Sequence, residues 1–338
     1  MKKHSSDNVR HEKKPNGEPQ KAPALDWVPP VRLDGKVILA FGGLGNLAET
    51  FLYGAALCGA RIVIADLCPA DPEGQRRFEE KARRITESIA PIGGHGPPDV
   101  LEADVTSVEQ VDAAFRRVRG ACGGVDIALN FAGVSHMPFD FAQGDPTEMM
   151  KSFRAVTDIN LNGAFAVTMT AARAMIPRRS GHIIHLCSSG SRLSLYGVYG
   201  YNASKHGVEG LVKTAAAQLA PFGIRVNGIA PGTVITDLNR RLIYNPDGSL
   251  GARGLAILVH TPSKRFITRE GVAETLLAMC VEQRHFTGNV VFADDGYNVE
   301  GHSWPEGNEA LFGGRERLEA LFRDLEERYP RDPGTGPS

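Results

Sequence analysis

Tyr201 and Lys205 stand four residues apart in Tyr-Asn-Ala-Ser-Lys, a spacing that puts a phenol and an ammonium on one face of a helix. A neighbouring cation stabilises phenolate, drawing a phenol from its usual pKa of about 10 towards the range of a working general acid/base. Ser188 lies 13 residues before Tyr201 (201 − 188), across a loop, and Asn160 sits further upstream in Asp-Ile-Asn-Leu-Asn. A second constellation stands near the start of the chain. The run Gly42-Gly43-Leu44-Gly45-Asn46-Leu47-Ala48 follows an apolar stretch and opens a helical one. Glycines at such a turn let the backbone approach a pyrophosphate, and the helix N-terminus offers free N–H groups and a positive dipole. Asp66 ends the next apolar stretch, 21 residues after Gly45 (66 − 45), where a carboxylate can accept from ribose hydroxyls and would repel a 2′-phosphate. No Lys or Arg stands in the turn or directly after Asp66, so the pattern favours NAD(H) over NADP(H).

These residues need a scaffold, and the chain supplies an alternating one. Near-continuous apolar runs at 37–41, 61–65, 100–103, 125–131, 182–187, 225–229 and 289–293 read as strands buried on both faces of a parallel sheet. Stretches 46–59, 72–90, 107–119, 146–178 and 202–221 carry apolar residues at helical spacing. The expected fold class is α/β: a doubly wound, Rossmann-type parallel sheet of seven strands with helices on both faces, spanning residues 31–300. Residues 1–30 are polar and rich in Pro and Gly, the signature of a mobile tail. Residues 237–268 form a loop-rich insertion. Residues 301–338 extend past the last strand, with Leu318, Leu321, Phe322 and Leu325 at amphipathic-helix spacing. The segment 301–312, with Trp304, is expected either to shape a pocket or to clasp the outside.

Composition narrows the partners. With 38 Lys+Arg against 39 Asp+Glu, the net charge of −1 argues against a broadly basic nucleic-acid binder. No apolar run approaches the ~18 residues of a membrane span, and the basic N-terminus lacks the apolar core of a signal peptide. Five cysteines without a CxxC pair read as reduced thiols, so a cytoplasmic location is expected. His182 and His185 are three apart in a strand, a spacing that points them to opposite faces; no metal site is expected.

Taken in order, the motifs resemble those of the short-chain dehydrogenase/reductases, over about residues 33–298. The ordered set is the Gly-rich turn at 42–48, Asp66, Asp104-Val105, Asn130-Phe131-Ala132-Gly133, Asn160, Ser188, Tyr201 with Lys205, Pro231-Gly232 with Thr236, and Thr-Gly-Asn-Val-Val-Phe-Ala-Asp-Asp-Gly at 287–296. The resemblance implies a catalytic tetrad of Asn160, Ser188, Tyr201 and Lys205. It implies cofactor contacts from Gly42, Gly45, Asn46, Leu47, Asp66, Asp104, Val105, Asn130, Ala132, Gly133, Tyr201, Lys205, Pro231, Gly232, Val234 and Thr236. It also implies that Lys205 lowers the Tyr201 pKa and that Asn160 anchors a proton-relaying water. A homo-oligomer, tetramer or dimer, is expected from the resemblance alone, through helix 202–221 and strand 289–293. The chain departs from the pattern at Phe41, Asn46, Ala48, Phe131 and Asp295, none of which removes a catalytic group.

The insertion also resembles that of sugar-acid members of the mannonate/fructuronate oxidoreductase type, through 245–250, Arg253, His260-Thr261-Pro262 and Arg265-Phe266. This implies a small polyhydroxylated substrate: a sugar, sugar acid or cyclitol. Candidate substrate contacts are Ser135, His136, Ser189 to Arg192, Tyr196 and Tyr199, with Arg192, Arg240 or Arg241 to pair a carboxylate. The alternatives are a biosynthetic ketoreductase of a non-sugar metabolite and a non-catalytic nucleotide-binding scaffold.

Overall fold

Apolar and β-branched runs with no exposed face have only one comfortable place, the middle of a covered parallel sheet. The computed structural model describes residues 31–92, 94–136, 138–195, 197–281, 285–299 and 315–328. The expectations for the tail 1–30, for Tyr196 and for Trp304 with its segment lie outside the described residues. Seven strands occur: β1 (Val37–Phe41), β2 (Arg61–Asp66), β3 (Asp99–Glu102), β4 (Ile127–Asn130), β5 (Gly181–Leu186), β6 (Ile224–Pro231) and β7 (Val290–Ala293). All pairings are parallel, in the order β3-β2-β1-β4-β5-β6-β7. Chain order reverses at β1/β4, and the carboxyl ends of those strands open the crevice where doubly wound sheets take ligands.

Alternate residues of each strand feed opposite cores. Ile38, Ala40, Ile62, Ile64, Leu129 and Ile184 pack with α1 (Asn46–Leu57) and α9 (Arg269–Cys280). Leu39, Phe41, Val63, Ala128, Ile183 and Val226 pack with α3 (Val108–Cys122), α5 (Gly163–Met175) and α6 (Tyr199–Leu219). Each such aliphatic side chain contributes ~1.5–3 kcal/mol by leaving water. Phe41 is fully buried and meets Phe115 at 5.8 Å between ring centroids, while Phe131 meets Phe51 at 5.9 Å, so both departures from the motif fill volume. Helix α2 (Pro72–Ile89) completes the first face and starts on a cap: the Asp71 carboxylate accepts from the Gly74 N–H.

Two expectations need correction. The stretch 146–178 is not one helix: α4 (Pro146–Thr157) passes through a wider π-turn (Asp158–Asn162) into α5 and ends in a short 3-10 turn at Ile176–Arg178. The extra residue per turn is what aims Asn160 inward, and periodicity alone does not register it. The insertion is also more ordered than its loop-like sequence suggests, with α7 (Arg240–Ile243) and α8 (Ala252–His260). Helix α10 (Arg315–Arg328) buries its apolar face on this insertion: Leu321, Phe322 and the fully buried Leu325 join Ile243, Leu250, Leu258 and Val259 in one cluster.

Candidate active site

Tyr201 and Lys205 occupy the first two turns of α6, beside the carboxyl end of β5. Lys205 is buried, and its Nζ donates to the Leu186 carbonyl at 2.6 Å. That nitrogen lies 5.7 Å from the centroid of the Tyr201 ring. Burial brings the Lys205 ammonium down to about 8. Burial also pushes the Tyr201 phenol above its usual value, and the Ser188 side chain pulls it back. The serine hydroxyl thus counters the effect of burial on the phenol.

Ser188 caps the short turn Ser189–Ser191 reciprocally. Its Oγ accepts from the Gly190 N–H at 3.0 Å, and its own N–H donates to Ser191 Oγ at 3.1 Å. Asn160 is buried; its Oδ1 accepts from the Val134 N–H, and its Nδ2 donates to the Val134 carbonyl and to Ser204 Oγ. Ser204 in turn donates to the Tyr201 carbonyl. Asn160 thus braces the segment after β4 against the start of α6. Gly133 runs between them: a Cβ there would sit 3.4 Å from Asn160 Oδ1 and 3.6 Å from Lys205 Nζ. Asn160 and Lys205 thus flank this glycine, Lys205 lies beside the Tyr201 ring, and the Ser188 side chain hydrogen-bonds the Tyr201 phenol.

The dinucleotide end lies along the same edge. Gly42 has φ +67°, and a Cβ on it would meet the Ala132 nitrogen at 2.5 Å, so turn and neighbouring strand end touch backbone to backbone. Gly45 caps α1 through backbone geometry, with no side-chain hydrogen bond at that cap among the described residues. Asp66 accepts from the Leu44 N–H on one oxygen and the Leu67 N–H on the other, both at 2.8 Å, and its remaining lone pairs suit ribose hydroxyls. Asn130 folds back onto the Ala132 N–H. Asp104 holds the Thr106 N–H and hydroxyl, and Val105 packs under Gly163. Pro231 ends β6; Gly232 lies against Asp294 and Ile267, Val234 bridges Ile267, and the Thr236 N–H donates to Asn239. The residues present fit a nicotinamide dinucleotide, because a close-approach glycine, an open helix N-terminus and a ribose-type carboxylate converge. Lys81 and Asp237 were missed. Lys81 on α2 acts electrostatically on Asp66 and lies 3.9 Å from Asp237, and Asn46 Oδ1 accepts from the Asp237 N–H at 3.3 Å. Both contacts join residues too distant in sequence for spacing to show.

The substrate candidates fare unevenly. Ser189 is buried in the turn after Ser188. His136 stacks on Phe139 and lines a largely apolar pocket of about 900 Å³, with Met149, Phe153, Leu195 and Tyr199. Asn202, Ala203 and His206 line it too, a different face of α6 from Tyr201 and Lys205. Arg192 already has partners: its Nε donates to Glu209 Oε1 at 3.2 Å and its guanidinium covers the Phe292 ring at 4.6 Å. The Arg240 guanidinium stands 6.0 Å over the Tyr244 ring. Arg253 on α8 is half-buried and interacts with Tyr297 beyond β7, with no acidic partner among the described residues. His182 and His185 turn apart, the first to Asn227 and the second to Thr168. No helix among the described residues is long and apolar enough to cross a membrane.

Comparison with known proteins finds relatives along most of the chain. The family model described as enoyl-(acyl carrier protein) reductase matches residues 55–298. Zerumbone synthase from Zingiber zerumbet is 31% identical over 281 residues, covering 81% of this chain and 98% of its own. The mitochondrial borneol dehydrogenase of Lavandula x intermedia is 31% identical over 269 residues, with coverages of 79% and 92%. Among solved structures, one provisionally assigned as a gluconate dehydrogenase from Agrobacterium tumefaciens superposes with a TM-score of 0.66 at 28% identity, covering 79% of this chain and 97% of that one. The chain belongs to the short-chain dehydrogenase/reductase family, oxidoreductases that act on alcohols and ketones with a nicotinamide dinucleotide.

Proposed function

We propose that the protein interconverts a secondary alcohol and a ketone on a small polyhydroxylated molecule, a sugar, sugar acid or cyclitol, with NAD(H) preferred over NADP(H). The observation that carries the reading is that Ser188 and Lys205 both stand beside the Tyr201 phenol, with Asn160 facing Lys205 across Gly133. The bound nicotinamide supplies hydride acceptance and donation. In oxidation Tyr201, as the phenolate, takes the hydroxyl proton on its Oη; in reduction the neutral phenol gives that proton to the forming alkoxide. Ser188 orients the substrate oxygen and stabilises its developing charge. Lys205, fixed by the Leu186 carbonyl, holds a positive charge beneath the phenol and hydrogen-bonds the nicotinamide ribose. Asn160 keeps the β4 edge and α6 in register. Asp66 supports the NAD(H) preference.

The polyhydroxylated class is supported by Arg253, a half-buried guanidinium of the insertion without an acidic partner among the described residues. It is also supported by the likeness to a protein assigned as a gluconate dehydrogenase. A second reading, reduction of a non-sugar ketone, is favoured by the apolar pocket beside His136. We further propose a homo-oligomer, supported by exposed Phe153 and Phe165 on α4 and α5 beside α6. The test is NADH formation from NAD⁺ with a panel of aldonates, sugars and cyclitols. Turnover of polyhydroxylated alcohols with NAD⁺, weak with NADP⁺ and lowered by Arg253→Met for the acids alone, supports the reading. Turnover restricted to apolar alcohols would transfer it to the second.

A further inference from the structure

Glu209 is a carboxylate that the reaction does not touch, yet the fold buries it. It lies one turn beyond Lys205 on α6 and is 5% exposed. Its Oε1 accepts from Arg192 Nε at 3.2 Å and from Lys213 Nζ at 2.8 Å. Its Oε2 is buried with no hydrogen-bond partner among the described residues. A buried carboxylate with an unmatched oxygen is costly, and well-packed apolar groups often serve stability as well or better. Stability alone is a poor reason for it, so what it holds in place matters.

What it holds is the turn that carries Ser188. Arg192 ends that turn, with its N–H on the Ser189 carbonyl. At the other end the Cys187 N–H donates to the Ile229 carbonyl of β6. Between these anchors the Ser188/Ser191 pair locks the turn internally. Arg192 reaches Glu209 on the helix that also bears Tyr201 and Lys205, and it rests on Phe292 of β7. The Ser188 hydroxyl is thus tied to the phenol it acts on by a bridge outside the site. We propose that Glu209 and Arg192 are positioning residues, a clasp that holds the turn bearing Ser188 against the helix bearing Tyr201. This rests on the reading of Tyr201 as the acid/base group.

Ser188 pulls the Tyr201 phenol down, so loosening the clasp moves the phenol up. The direct test is ultraviolet difference titration of phenol ionisation, with Tyr201→Phe subtracted to isolate Tyr201 among the seven tyrosines. It needs no substrate. Arg192→Met, which keeps a side chain on Phe292, and Glu209→Gln are expected to shift the Tyr201 transition to higher pH. Arg192→Lys is expected to restore part of the shift. Lys213→Met removes the other cation without touching the turn, and its transition is expected to match wild type. Thermal unfolding checks that each variant is folded. Wild-type transitions in folded Arg192→Met and Glu209→Gln overturn the clasp, as does an equal shift in Lys213→Met. Failure of the functional reading is separate: Tyr201→Phe would then turn over substrate like wild type, whatever the titrations read.

Discussion

Replacing Gly42 with alanine tests the cofactor turn where its geometry is tightest. The residue has φ +67°, and the left-handed region costs an L-residue roughly 1–2 kcal/mol. The added methyl would also lie 2.5 Å from the Ala132 nitrogen, 2.7 Å from its Cα and 2.8 Å from the Phe131 carbonyl carbon. These are backbone atoms at the end of β4 and cannot swing aside, so an overpacking cost of about 1–3 kcal/mol adds. Gly42→Ala should therefore lose about 2–5 kcal/mol of stability. Gly35 provides the comparison, with φ +69° and nothing within 4 Å of its Cβ, so Gly35→Ala should show the strain alone. Urea unfolding of both variants isolates the contact, and NADH fluorescence titration reads its consequence. Gly42→Ala should weaken NADH binding about tenfold or more, a loss of ~1.4 kcal/mol or more in binding, because relieving the contact moves the turn away from the pyrophosphate. Equal destabilisation of the two variants, or unchanged NADH affinity in Gly42→Ala, would refute the reasoning.

Other perturbations probe other parts of the site. Burial lowers the folded Lys205 pKa from 10.5 to about 8, so between those values the unfolded chain binds more protons and this lysine's contribution to stability rises with pH. The buried thiols, raised above their usual value, act oppositely above about pH 9, so the difference between wild type and Lys205→Met in pH-dependent denaturation isolates the rise; parallel curves would contradict it. A disulfide reagent applied to the native protein should modify Cys68 and Cys122 and spare buried Cys58, Cys187 and Cys280, with all five reacting in denaturant. Asp66→Ala should weaken NADH and narrow the gap to NADPH, read by fluorescence titration; an unchanged ratio would remove Asp66 from cofactor choice.

The sheet was legible because β1, β2, β5 and β6 are apolar runs long enough to leave no other reading, and the glycines just past β1 and β6 marked the site edge. Tyr201 and Lys205 stood out because their spacing puts them on one helix, α6. What escaped is what depends on distant contacts. The π-turn at Asn160 adds one residue to a turn without altering the apolar rhythm around it. Arg192 and Arg240 look alike in sequence as carboxylate ligands; only packing shows that Glu209 and Phe292 occupy the first. Lys81 reaches Asp237 across 156 residues (237 − 81), and Glu209 reads as a solvated helical residue until α6 is seen to bury it.

The central claim is that Tyr201 moves the proton of an alcohol undergoing oxidation. The most direct test compares initial rates of NADH formation by wild type and Tyr201→Phe on one alcohol that the wild type oxidises, with NADH affinity measured on both. The account predicts a loss of about 10²-fold or more in kcat with NADH affinity retained. Equal rates in the two proteins would contradict it.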